Sequence, residues 1–201
     1  MSVAGLLLPA LLSATAPAAA GEHLVAGATA FRDARYDRAL VEFRVAQALG
    51  SPDAATYAAA TLVKLGRAED AVEAFGKVAG APDPLLAYYH ALACYEARLY
   101  LCADHLLDAV GTRSGPRVAE EAAATRAAIA RELAREPPTA SVDWYLGACA
   151  ARRDAGRPVL ALAFCEEARG LSERRGDRYR FAEAAALAAS LTGRIPPGTA
   201  P

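Results

Sequence analysis

The sequence has little of what catalysis requires. It holds three histidines, His23, His90 and His105, and no His-Glu-x-x-His, glycine-rich phosphate loop or Gly-x-Ser-x-Gly. Asp104 and His105 are adjacent, so on a helix their side chains diverge. The carboxylates are scattered, as solvated charge on helix surfaces is. No catalytic residue and no cofactor are expected. An excess of one charge is also missing: the net charge of −1 excludes the basic footprint of a nucleic-acid binder. No window alternates strictly between β-branched and polar residues, which excludes a sheet. The apolar run Val3 to Leu12 is far shorter than the ~20 residues a membrane-spanning helix needs.

What is present is alanine, then leucine, in a chain of 201 residues that is 54% hydrophobic. Alanine has the best helix propensity and a small side chain, so helices rich in it approach closely. The expected fold is all-α with a substantial core. Residues 1–20 stand apart. After the apolar run, Ser13 to Ala20 is small and ends Ala18-Ala19-Ala20 before Gly21-Glu22, the pattern of a secretory segment cleaved after Ala20. No Lys or Arg precedes the run, and no cysteine near residue 20 offers a lipid anchor. Export to the periplasm or medium is the reading; a buried N-terminal helix on a cytoplasmic protein is its alternative.

Repetition decides the architecture. Pro52, Pro84 and Pro116 stand 32 residues apart, and other positions recur in the same register. Gly27, Ala59 and Ala91 form one series, and Ala39, Ala71 and Ala103 another. Phe43, Phe75 and Leu107 form a third, and Ala46, Val78 and Val110 a fourth. Internal periods of this size mean stacked supersecondary units, none able to bury its apolar face alone. Each unit reads as helix, tight turn, helix. Ser51, Pro52 and Asp53 suit a helix start, Gly66 suits a helix end, and Ala68, Ala71, Val72, Phe75 and Val78 make the next apolar stripe.

The series Ala39-Phe43-Pro52 and Ala71-Phe75-Pro84, with Ala103-Leu107-Pro116, resembles the tetratricopeptide repeat (TPR) over roughly residues 22–115. The units are two residues shorter than the usual ~34, and their first helices lack the family's early Trp and Leu-Gly pair. The resemblance implies a right-handed α-solenoid of antiparallel helix hairpins. The expected organisation is a signal segment over 1–20, three tandem repeats over 21–115, and an inserted long helix over 116–138. A fourth hairpin with a capping helix covers 139–192, and a disordered tail 193–201. The period breaks at Arg135, where the next alanine should stand, and resumes with Gly156, Ala161, Cys165 and Ala168.

The four cysteines flank turns symmetrically. Cys94 and Cys102 lie four residues either side of Arg98, and Cys149 and Cys165 eight either side of Arg157. Positions equidistant from a turn face each other in an antiparallel pair, which selects Cys94–Cys102 and Cys149–Cys165 from three connectivities. Four buried free thiols are the alternative. His90, Cys94, Cys102 and His105 are zinc-type ligands flanking one turn. His105, two residues past Ala103, should rotate towards solvent, so the set should not converge and no metal is expected.

The resemblance also implies how such a protein works: ligands usually lie in a concave groove lined by each repeat's first helix. The faces concerned carry Leu24 and Phe31, then Thr56 and Val63, then Tyr88, Leu92 and Tyr95. The Lys, Asn and Arg with which some members grip a peptide carboxylate are replaced by Leu24, Ala28, Tyr57, Leu85 and Tyr89. An apolar, aromatic groove suits an amphipathic helix or hydrophobic segment of a protein partner. A self-associating homo-oligomer, its groove filled by the chain's own helix 117–135, is the alternative.

Overall fold

In the computed structural model the described residues form ten helices and no strand. The structure describes residues 8–78, 83–111, 115–135 and 142–193, with side chains from 17 onward. The tail expected to be disordered lies outside them from residue 194. The chain divides into two units, the first ending at Gly66 and the second beginning at Arg67.

In the first unit, α1 (Leu8–Arg32) packs against α2 (Tyr36–Ala48), and α2 against α3 (Ala54–Lys64). The α1–α2 contact closes at Gly27, where a Cβ would stand 2.7 Å from the Phe43 ring. Phe43 is buried and stacks on Tyr57 of α3 at 5.5 Å between ring centroids. The α1 helix continues through buried Ala20, so the expected cleavage point falls within it.

In the second unit, α4 (Ala68–Phe75) packs on α5 (Pro84–Glu96), and α5 pairs with α6 (Tyr100–Gly111). Then α7 (Pro116–Ala134) lies against both α6 and α5. The remaining helices are α8 (Val142–Asp154), α9 (Pro158–Arg175) and α10 (Arg178–Thr192). The centre of this group is α9, which touches α8, α10, α6 and α4. A helix contacted on several sides must be apolar nearly all round. Val159, Leu160, Ala161, Leu162, Phe164, Cys165, Ala168 and Leu171 are accordingly buried. Gly170 permits the approach to α6, since a Cβ there would meet Leu101 at 2.7 Å.

The register seen in the sequence reappears in burial and in the backbone. Ala39, Ala71 and Ala103 are inaccessible, and Phe43, Phe75 and Leu107 nearly so. Ala34, Gly66 and Arg98, again 32 residues apart, all adopt the left-handed conformation, with φ of 57°, 68° and 65°. Gly156 repeats it before α9 at 72°. After each of three of these turns the next N–H bonds the carbonyl five residues back: Arg35 to Ala30, Leu99 to Cys94, and Arg157 to Arg152. That is the 6→1 bond of a Schellman ending.

Candidate functional site

The one metal-type cluster among the described residues sits where α5 turns into α6. The turn places Cys94 near the end of α5 opposite Cys102 in the first turn of α6. The two are bonded as a disulfide, with Cα atoms 6.1 Å apart. One turn before Cys94 on α5, His90 adds a nitrogen, and the three ligand atoms lie within 4.8 Å of one another. The His90 ring is fixed by stacking on Phe75 of α4 at 4.7 Å. Burial lowers its pKa to about 4, so the imidazole is neutral at pH 7. His105 is exposed, as its position in the register implies, yet it borders the same small cavity as His90 and Cys102. Three of the four metal-type residues converge, and His105, turned towards solvent as its register position predicts, stays outside the set. Cys149 of α8 is bonded to Cys165 of α9, with Cα atoms 5.3 Å apart.

Two carboxylates, on helices where solvated surface is the ordinary expectation, instead cap buried helix starts, one of them at this corner. Glu167 of α9 is buried and accepts the Leu101 N–H at 2.7 Å and the Cys102 N–H at 3.2 Å. It thereby caps the first turn of α6 from a distant helix. Burial drives its pKa up to about 7, against the lowering effect of the backbone N–H groups. Glu73 of α4 does the same for α9, accepting the Leu160 N–H at 2.8 Å while Lys77 pairs with it at 2.8 Å. Around Glu73, Arg152 bonds Glu69 at 2.5 Å and Arg157 bonds Asp70 at 2.9 Å. The Tyr145 hydroxyl donates to the Arg98 carbonyl at 2.5 Å, pinning the turn between the two bridged cysteines. Its pKa is raised, first by burial and then by nearby Glu167. The only sequence signal for the carboxylates was Glu167 lying within a strongly apolar stretch.

The residues expected to line a groove differ in accessibility. Thr56, Val63 and Tyr88 are buried, while Leu24, Phe31, Leu92 and Tyr95 are half-buried. In the first unit, the Phe31 ring meets Tyr36 edge-on at 5.4 Å. In the second, Tyr95 lies 6.0 Å from the Tyr100 ring. The Tyr88 hydroxyl lies near Thr125 and Glu121 of α7, and burial raises its pKa. Tyr88 is thus covered by the chain itself. No helix among the described residues is long and apolar enough to cross a membrane.

Compared with known proteins, the chain matches no family model and no curated protein.

Proposed function

We propose that the chain is a non-catalytic interaction scaffold of TPR-like hairpins, forming the right-handed solenoid that the resemblance implies. It holds a helical or hydrophobic segment of a protein partner on its first-helix faces. The observation that carries this reading is a coincidence of period. The buried alanines, the buried Phe43, Phe75 and Leu107, and the left-handed turns at 34, 66 and 98 all recur every 32 residues. Repeats of this kind serve mainly as extended binding surfaces. Leu92 and Tyr95 of α5, both half-buried, leave apolar surface accessible. Export to the cell envelope accompanies the proposal, supported by two disulfides in a small domain.

One observation favours a second reading. The nearness of Tyr88 on α5 to Thr125 and Glu121 on α7 is what a self-filled structural protein would have. A photo-crosslinking residue at Leu92, expressed in the native host, separates the two. A heteromeric adduct from position 92, absent from exposed position Glu120, supports the scaffold. It should weaken about tenfold in Tyr95→Ala with the melting temperature unchanged, since interface aromatics carry much of such affinity. Homodimeric adducts support the structural reading, and equal adducts from both positions defeat the scaffold.

A further inference from the structure

We propose that the α5–α6 corner is a redox-gated zinc site, bridged by the Cys94–Cys102 disulfide under oxidising conditions and by zinc under reducing ones. The argument rests on convergence and not on the scaffold reading. Zinc prefers tetrahedral sulfur and nitrogen ligands, with Zn–S near ~2.3 Å and Zn–N near ~2.0 Å, which sets ligand atoms nearly 4 Å apart. His90 Nδ1 or Nε2, Cys94 Sγ and Cys102 Sγ all lie within 4.8 Å of one another, so small side-chain rotations reach that geometry.

The surroundings meet the remaining requirements. The imidazole is neutral, as a ligand must be. Its ring is held by Phe75, and the Cys102 backbone is held by Glu167. Outer contacts of this kind orient ligands and tune affinity. A cavity bordered by His90, Cys102 and His105 supplies an approach for the ion and room for a fourth ligand, either water or His105.

The step balances with a dithiol as reductant. The S–S bond accepts two electrons and two protons, and the dithiol leaves as its own disulfide. Zinc then binds both thiolates, and the two thiol protons pass to solvent.

The full chain, reduced with a dithiol and desalted without oxygen, is titrated with cobalt as a spectroscopic probe and with zinc in competition. One equivalent of cobalt should bind with a thiolate charge-transfer band, and zinc should displace it. Zinc should raise the melting temperature of the reduced protein and leave the oxidised protein unchanged. His90→Gln and Cys102→Ser should each weaken binding by at least about tenfold. Because the zinc-dependent melting shift is read on the unsubstituted chain, the test survives a variant that fails to fold. Equal zinc response in the reduced and oxidised protein overturns the proposal, as does a folded His90→Gln chain that binds like the parent.

Discussion

At single residues, the repeat is most exacting where it bends the backbone. Positions 34, 66 and 98 share one left-handed turn, but only the second carries glycine. Alanine and arginine there set Cβ against the carbonyl, a cost of about 1–2 kcal/mol in that region. Glycine relieves it while adding unfolded-chain entropy, an offset of roughly 0.4–1 kcal/mol. Ala34→Gly and Arg98→Gly should therefore each stabilise by about 0.5–1 kcal/mol, and Gly66→Ala should destabilise by about 1 kcal/mol, the two terms of opposite sign. Chemical denaturation midpoints check all three. Arg98 is the sharper case, because Tyr145 already holds its carbonyl in place. If Arg98→Gly destabilises, its side chain contributes something the backbone account omits. The sequence marks Gly66 as a helix end and Arg98 as the midpoint between Cys94 and Cys102, whereas nothing local marks Ala34.

Among helices, the decisive feature is α9, whose place the sequence showed poorly. An apolar stripe reveals which face is buried but not which helix covers it. The periodicity therefore disclosed the α5–α6 and α8–α9 pairs and the cysteine positions facing across them, since these follow from distance to a turn. It did not disclose that α9 lies on α4 and α6, because contacts across some 65 to 90 residues leave no local pattern. The hint was the consecutive run Val159-Leu160-Ala161-Leu162, too apolar for a helix with one buried side. Glu73 and Glu167 were misread for the same reason, as carboxylates are usually at the surface. Their roles make a definite prediction. Glu73→Ala removes the acceptor for the Leu160 N–H at a buried helix start and should cost about 2–3 kcal/mol. Glu73→Gln retains one acceptor and should cost less. Hydrogen exchange at Leu160 should accelerate in the alanine variant; an unchanged rate would show that the cap contributes nothing there.

For the molecule as a whole, both disulfides and the two groups shifted towards the acid-to-neutral range, His90 and Glu167, belong to the second unit. Closing loops of 8 and 16 residues removes unfolded-chain entropy worth about 2.5 and 3 kcal/mol in the loop-closure picture. Reduction without metal should thus lower the melting temperature substantially, as calorimetry would record. The pH dependence is subtler, because the two groups oppose each other. Glu167 titrates near 7 when folded and near 4.5 when unfolded. The native state then holds its proton longer, so stability is present below pH 4.5 and declines as pH rises towards 7. His90 titrates near 4 when folded and near 6.5 when unfolded. The unfolded chain takes up that proton first, so stability is present above pH 6.5 and declines as pH falls towards 4. Between about 4.5 and 6.5 the two slopes, each up to about 1.4 kcal/mol per pH unit, largely cancel. Single substitutions should uncover them. In Glu167→Gln, the His90 term stands alone and stability should rise with pH across that window. In His90→Gln, the Glu167 term stands alone and stability should fall. Urea denaturation of both variants and the parent at half-unit steps reads slopes and not offsets, so the general cost of each substitution drops out. Parallel profiles in all three proteins would mean that neither group carries its burial into the stability of the fold.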